Sequence, residues 1–442
     1  MVDNTVMQSG RYKAYPEYKD SGVEWIGEIP SGWELTRIKY VSKCLDGARI
    51  PLNASERGEM SGNVPYWGAN KVVDHINDYL FDEELVLLGE DGAPFFDKNK
   101  DVAFNVSGKI WPNNHVHVLR PLMEKVEPRF LKHSLNCADF YLYISGSTRD
   151  KLNQSDMNEI FIRAPKLIEQ KQIANFLDYE TAKIDNLIEK QQRLIELLTE
   201  KRQAVISHAV TKGLNPDAPM KDSGVEWLGD VPEHWIVTKL RQLAFLQEGP
   251  GLRHWQFKAQ GIKVISVTNI TEAGIDFTRL EKFISHEEYL QSYQHFTVNK
   301  GDILLSSSGN SWGKVATYEG DDKVILNTST IRLNELKHRP LVQPFIKFFL
   351  LSEACREQLG LAMTGSCQPN FGPTHLNEVK TVVPPVDEQY AISKYIDEKV
   401  SKISELLQVC ESTIQLMQER RTALISAAVT GKIDVRDWVK PE

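Results

Sequence analysis

Two segments of the chain carry apolar residues at a three-four spacing. The first runs from about Glu169 to Val210, with Ile173, Leu177, Ile184, Leu187, Ile188, Leu194, Leu198 and Val205 in phase. The second repeats the pattern with Ile392, Ile396, Ile403, Leu406, Cys410, Met417 and Leu424. This period predicts α-helices. Pro165 and Gly213 bracket the first and Pro385 and Gly431 the second, which fits proline's tolerance at a helix start and glycine's preference just past an end. Each predicted helix is roughly 40 residues, or about 60 Å at about 1.5 Å per residue. A long helix with a narrow apolar stripe needs a partner, and the chain holds two built alike. They are expected to pair as a coiled coil, antiparallel if the halves are related by a pseudo-twofold axis; the alternative is that each packs on its own globular domain. Elsewhere the pattern shortens to alternation, as in HVHVL (His115–Leu119), KVISV (Lys263–Val267), DILLS (Asp302–Ser306) and TIRL (Thr330–Leu333), separated by Gly, Asn and Asp. These runs predict strand-rich mixed domains. The expected fold is α+β: two mixed α/β domains joined by two long antiparallel helices, in a pseudo-twofold internal repeat.

The repetition extends beyond the helices. KDSGVEWIGEIPSGW begins at Lys19 and KDSGVEWLGDVPEHW at Lys221. Over Lys19–Lys39 the two copies, 202 positions apart, are identical at 11 of 21 positions, enough to establish a duplication. A second set of matches has an offset of 219. APKLIEQKQIANFLD (Ala164–Asp178) falls on VPPVDEQYAISKYID (Val383–Asp397), and EKRQAVISHAVTKG (Glu200–Gly213) on ERRTALISAAVTGK (Glu419–Lys432). Gly146-Ser147 and Asn158-Glu159 match Gly365-Ser366 and Asn377-Glu378 at the same offset. The plan is thus phrase, variable stretch, helix, twice over. Trp25, Pro30 and Trp33, with Trp227, Pro232 and Trp235, are expected to be structural seats that fasten each domain near a helix end, because burial is the commoner role of such residues; stacking on bases is the rival role.

At 442 residues the chain exceeds one ordinary core, so two or three domains are expected. With 41% hydrophobic and 25% charged residues it has the composition of a soluble globular protein. No apolar run reaches eighteen residues, which excludes a spanning helix, and the polar first twenty residues lack the core of a signal peptide. The five cysteines (Cys44, Cys137, Cys355, Cys367, Cys410) form no C-x-x-C pair, so a reducing cytoplasm without disulfide framework or zinc knuckle is the expected setting. A net charge of -8 argues mildly against nucleic acid as partner. Net charge does not report clustering, however: Lys239–Lys380 holds 16 basic and 14 acidic residues, so the acidity is uneven.

Catalytic groups do not assemble. GNSWGKV (Gly309–Val315) has too few residues between its glycines for a phosphate-cradling loop, and Val315 stands where a metal-binding hydroxyl would be required. NPDAP (Asn215–Pro219) lacks the aromatic residue of an adenine methyltransferase tetrapeptide. His115 and His117 share a strand face without a third ligand at a convincing spacing, so they are expected to be surface or core histidines. The variable stretches carry instead polar loops interleaved with aromatics: PYWGANK, SGKIWPNNH and SGSTRDKLN in the first, GLRHWQFK, SSSGNSWGK, LNTST and TGSCQPN in the second. Such side chains can pair with base edges or phosphates. Asn, Gly and Ser also dominate ordinary turns, which is the plainer explanation.

Taken together, the paired phrases, the paired P-x-x-x-E-Q helix starts (Pro165 before Glu169-Gln170, Pro384 before Glu388-Gln389) and the dissimilar stretches between them resemble the specificity subunit of type I restriction-modification systems. The resemblance covers about Tyr15 to Lys432. YWGAN, LLGEDGAPF and WPNNHVHVLRP look like one recurring target-recognition type of that family, and GDILLSSSGNSWGKV with TGSCQPNF resemble another more loosely. The resemblance implies a non-catalytic protein with no cofactor and no metal. It implies an N-terminal arm (1–18), a first target-recognition domain (19–163), a first long helix (164–213), a second recognition domain (214–382), a second long helix (383–433) and a tail (434–442). Each domain would read one half of a bipartite double-stranded DNA site, and the helices would set the spacing and dock two adenine methyltransferase subunits, joined by motor-nuclease subunits. Candidate DNA contacts are Lys71, Lys109, Asn113, Asn114, Arg149 and Lys151, then Arg253, Asn310, Lys314, Asn327, Gln368 and Asn370. Two alternatives stand beside this: a recognition subunit of a methyltransferase system without a motor, and a coiled-coil scaffold whose heads bind proteins.

Overall fold

The structure, a computed structural model, describes residues 12–144, 150–309, 312–336, 341–363 and 370–441. Arg149, Asn310 and Gln368 lie outside the described residues. Two compact units divide the chain: Met1–Gln192 with Cys410–Glu442, and Arg193–Val409. No helix among the described residues is long and apolar enough to cross a membrane.

The two long helices form as their period predicts, over Leu167–Lys212 and Val386–Val429. Both stop at a glycine in the left-handed region, Gly213 (φ 78°) and Gly431 (φ 76°), where a side chain would be strained. At the second stop the Lys432 N–H donates back to the Ala427 carbonyl at 2.8 Å, satisfying one of the helix's last acceptors. In the first unit, Ile173, Ala174, Leu177 and Ile184 from the start of the first helix share a core with Leu424, Ile425 and Ala428 from the end of the second. In the second unit, Ile206, Ala209 and Val210 share a core with Ile392 and Ile396. Start meets end in both, so the helices pair antiparallel. Each stretch also closes the core of its own unit, so the two packing alternatives are realised together. The apolar stripe is incompletely covered: Leu187, Leu194 and Leu406 are 46%, 42% and 51% exposed, contrary to what a fully seated stripe requires.

The globular parts share one topology. In the first unit a four-stranded sheet runs in the order 72–76, 61–67, 109–112, 81–82, and a second in the order 42–44, 116–121, 85–89, 103–106. The second unit repeats this as 283–284, 262–265, 324–326, 297–298 and as 244–248, 330–335, 303–306, 315–317. In each, one central pair is parallel: Pro112 opposite Trp67, and Leu326 opposite Ile265. An antiparallel pair then closes each head, Glu34–Arg37 with Phe161–Ala164 and Ile236–Lys239 with Lys380–Val383. Glu159 and Glu378, in the repeated Asn-Glu dipeptides, take salt bridges from the end of the closing strand and the turn after it: Arg37 and Lys39 in the first head, Lys239 and Arg241 in the second.

The repeated phrase is the joint. Trp33 and Trp235 are essentially fully buried, and each indole N–H donates at 2.9 Å to the glutamate of a P-x-x-x-E-Q start, Glu169 and Glu388. Their rings also lie against the glycine that ends the antiparallel partner helix, Trp33 at Gly431 and Trp235 at Gly213. The glutamine of the motif does a different job. Gln170 accepts the Glu127 N–H at 2.9 Å and donates to the Lys125 and Pro165 carbonyls, and Gln389 accepts the Val342 N–H at 2.7 Å and donates to Pro384. Glu127 and Val342 cap the head helices Pro128–Asn136 and Gln343–Leu351, so each glutamine ties a head helix to a long helix. Trp25 departs from the expected seat: it is 45% exposed, edge-on to Phe161 at a 6.4 Å ring separation.

Candidate nucleic-acid interface

In the first head four loops converge at one corner of the paired sheets. The turn after strand 61–67 approaches Gly89 so closely that a β-carbon there would sit 2.9 Å from the Ala69 carbonyl. Beyond Gly89, the Glu90 N–H donates to the His115 carbonyl at 2.9 Å, and the Gly92 N–H to the Asp150 carbonyl at 3.2 Å. Asp91 forms a β-bridge with Lys151, and the Leu152 N–H donates to the Glu90 carbonyl at 2.8 Å. Asn113 N–H donates to the Trp67 carbonyl at 3.0 Å, prolonging the parallel pair by one bond.

The second head builds the same corner at the same register. Asn327 N–H donates to the Ile265 carbonyl at 2.9 Å, Ser308 bridges Asn370, and the Phe371 N–H donates to the Ser307 carbonyl at 3.1 Å. Gly249 lies flush against it, since a β-carbon there would fall 2.2 Å from the Asn327 carbonyl oxygen. Ser329 has a φ of 61°, the one positive value at a non-glycine among the described residues, and its N–H is held by the Glu248 carboxylate at 2.9 Å. Such strain persists only where the surroundings over-determine it.

The candidate contacts divide accordingly. Lys71, Asn114 and Lys151 are exposed at the first corner, and Asn370 at the second, while Lys314 is half-buried where its carbonyl accepts the Ser306 N–H at 2.9 Å. Lys151 is 49% exposed and partly engaged, its Nζ 3.4 Å from Glu90. Asn113 is half-buried and shapes the turn, its Oδ1 accepting the His115 N–H at 2.8 Å. Three residues depart from expectation. Asn327 is buried: its Nδ2 lies 3.4 Å from Ser266 Oγ and its carbonyl takes Thr330, so it builds the corner from within. Lys109 sits at the opposite end of its strand from Asn113, its ammonium 4.5 Å from the Tyr79 ring centre. Arg253 belongs to a separate exposed turn beside Trp255, 64% exposed.

Beneath the first corner lies a charged network that the sequence motifs did not reveal. His117 Nδ1 is 2.5 Å from Asp46 Oδ2 and Nε2 is 2.8 Å from the Leu152 carbonyl. Arg49 donates to Glu90 at 2.6 Å and to the Val116 carbonyl at 2.7 Å. Burial works to raise the Asp46 carboxyl, but the bonds from His117 and the Val118 N–H, with the Arg49 charge, outweigh it and hold the group below the usual carboxylate range. Cys44, Asp46 and His117 offer ligand atoms within 4.8 Å of one another. The 2.5 Å Nδ1–Oδ2 separation is that of a direct hydrogen bond, whereas two ligands of one tetrahedral ion stand about 3.3 Å apart. Of the surface and core positions expected for the two strand histidines, His117 takes the core one.

The two heads thus carry different loop sets on one repeated strand frame. The family described as "Type I restriction modification DNA specificity domain" matches residues 30–198 and again 232–416, and the chain belongs to that family. It is 28% identical over 390 residues to a putative type I restriction enzyme specificity subunit, S.HindORF215P, of Haemophilus influenzae, covering 88% of this chain and 92% of that one. It is 24% identical to the type I restriction enzyme MjaVIII specificity subunit of Methanocaldococcus jannaschii, covering 92% and 95%. Among solved structures it is similar in fold (TM-score 0.66, 15% identity, 91% of this chain and 98% of the other) to a chain from work on complex assembly and conformational transition of the type I R-M system.

Proposed function

We propose that this chain is the non-catalytic DNA-recognition subunit of a type I restriction-modification complex, each head reading one half of a split duplex sequence. One observation carries the reading: the two heads repeat a strand order and a hydrogen-bonded corner residue for residue, yet fill the corner with different polar side chains. One frame with two fillings is what recognition of two unlike half-sites requires. Lys71, Asn114 and Lys151 in one head and Lys314 and Asn370 in the other are the contacts this reading favours. The antiparallel helices set the spacing, and their exposed Leu187, Leu194, Leu197, Leu406 and Val409 offer apolar surface to methyltransferase subunits. Motor-nuclease subunits complete the assembly, in the cytoplasm with the host DNA. A net charge of -8 is consistent with partners that supply much of the phosphate-binding surface.

The test is to sequence methylated adenines in a host expressing the chain with its methyltransferase. A split motif is expected, and exchange of the first head, Arg37–Asn158, for that of another family member should change one half only. An active methyltransferase that leaves no split motif would refute the reading.

A further inference from the structure

Fourteen residues beyond the cap of its head helix, each head lays one exposed side chain against the loop that leaves the corner. In the second head the cap is Val342 and the side chain is Arg356, on the helix Glu353–Ala362. In the first the cap is Glu127 and the side chain is Tyr141, 73% exposed. The residue before each, Cys355 or Phe140, is buried, so the two positions face outward in the same register. Each meets an aromatic ring on the loop that follows the corner strand, 303–306 or 85–89. Tyr141 stacks on Phe96 at a 4.3 Å ring separation, and the Arg356 guanidinium lies 5.9 Å over the Trp312 ring centre. One position with one aromatic seat holds a neutral phenol in the first head and a cation in the second.

The second head fixes that cation beside its corner. Trp312 stands edge-on to Phe371 at a 6.4 Å ring separation, and the Phe371 N–H makes the bond to Ser307 that closes the corner. The Trp312 N–H donates to the Gly309 carbonyl at 3.2 Å, and the Gly313 N–H to the Ser306 carbonyl at 2.8 Å. A β-carbon on Gly313 would lie 3.7 Å from Arg356 Nε and 3.8 Å from Nη2, so the guanidinium rests against this turn. Lys314 follows directly, and Ser308 on the other side bridges Asn370. Arg356 therefore stands next to the two contacts favoured in this head.

Its charge is unanswered. Arg241 and Arg279 of the same head are paired with Glu378 and Asp276, whereas no ion pair holds Arg356 among the described residues. A guanidinium is a planar fork of N–H donors with no acceptor. Held along an aromatic face, it keeps the edge of that fork free and has little freedom left to lose on binding. The acceptor pair on a base that matches the fork is guanine O6 and N7 in the major groove. A phosphate also accepts a guanidinium, but a mobile side chain suffices there, whereas a base edge needs the fixed direction that Trp312 supplies.

We propose that Arg356 reads a guanine in the second head's half of the target, with Trp312 as its positioning residue, and that Tyr141 gives the first head no such contact. The proposal rests on the reading given above and adds to it one base and the residue that specifies it.

The test uses the full chain with its methyltransferase subunits, on duplexes carrying the motif that the unaltered complex methylates in its host. The half that survives exchange of the first head should include a specified G·C pair. Arg356→Ala should lower discrimination against substitution of that pair by about 10–100-fold, and leave the other positions and the affinity for unrelated duplex unchanged. In the host, the methylated motif should widen at that pair alone. Trp312→Leu should lose part of the same discrimination and none further once Arg356→Ala is present, which a merely structural role would not produce. Should Trp312→Leu fail to fold, Arg356→Ala decides alone, its side chain being exposed on a helix. A uniform fall in affinity on all sequences, with the salt slope reduced by about one, would make Arg356 a phosphate contact and overturn the proposal. So would a second half with no specified G·C pair, or a split motif that Arg356→Ala leaves unaltered. If the unaltered complex methylates no split motif, the reading itself fails.

Discussion

Replacing Gly431 by alanine probes the joint most directly. Gly431 ends the second long helix at φ 76°, and an added β-carbon would lie 2.5 Å from Pro30 Cγ, 2.6 Å from Pro30 Cδ and 3.2 Å from Trp33 Cζ3. The left-handed backbone alone costs a non-glycine residue about 1–2 kcal/mol. Overlap with a buried proline ring adds about 1–3 kcal/mol, and the stiffer unfolded chain returns about 0.4–1 kcal/mol. The net expectation is a loss of about 2–4 kcal/mol. Gly213 supplies the comparison. It has φ 78°, but its β-carbon would meet Trp235 at 3.1 Å and Pro232 only at 3.9 Å. Gly213→Ala should therefore cost about 0.5–1.5 kcal/mol net, nearly all of it backbone strain less the same return from the unfolded chain. Because the two units need not unfold together, urea-dependent hydrogen exchange should be read locally, around Ile433–Val435 for one variant and Val231–Trp235 for the other. A loss at Gly431 no greater than that at Gly213 would refute the claim that Pro30 and Trp33 are clamped against the helix end.

Other substitutions test neighbouring parts of the scaffold. Gln170→Leu removes the partner of one buried N–H and two carbonyls, and should cost about 3 kcal/mol, visible as loss of protection at the start of helix Pro128–Asn136. Trp235→Phe takes the indole donor from Glu388 and leaves a gap where the second ring lay, so a destabilisation of about 2–4 kcal/mol is expected in urea titrations. Burial pushes the Cys355 thiol up to about 12, so in native chain at neutral pH it should resist iodoacetamide in mass-spectrometric mapping, and react only on unfolding. Lys151→Ala should weaken DNA binding while lowering its salt dependence by about one unit of slope if the ammonium meets a phosphate, or relax one base position if it meets a base edge.

The elements with the strongest sequence pattern are those the structure reproduces most closely. The long helices begin and end within a few residues of where their apolar period, prolines and glycines put them. The repeated glutamates and tryptophans of the joint were visible because both partners of each hydrogen bond are repeated. The likeness of the heads was hidden. Equivalent positions lie 202 apart at Cys44 and Leu246, 198 at Trp67 and Ile265, 217 at Gly89 and Ser306, and 219 at Lys151 and Asn370. Loops of unequal length change the offset between every pair of strands, and backbone pairing tolerates almost any side chain at a matched position. The corner was legible as a collection of polar turns but not as a constellation. Asn327 was indistinguishable from an exposed loop asparagine because its burial depends on a distant glycine, Gly249. The sequence leaves His117 open between surface and core, because its partners are 71 and 35 residues away, beyond what local spacing reports.

The division of the long helices also governs the order in which the protein can mature. The second unit is encoded without interruption, from Arg193 to Val409. The first needs stretches from both sides of it, because Leu424, Ile425, Ile433 and Val435 belong to the same core as Trp33, Phe130 and Ile173. At about 5–20 residues per second, the ribosome needs roughly 12–50 s after Gln192 to reach Val435. Throughout that interval the first-made unit lacks part of its interior, which is supplied only after the last residue of the second unit, Val409, has been made. A message truncated shortly after Val409 would thus yield a chain whose defect lies at its beginning, and whose second half is intact.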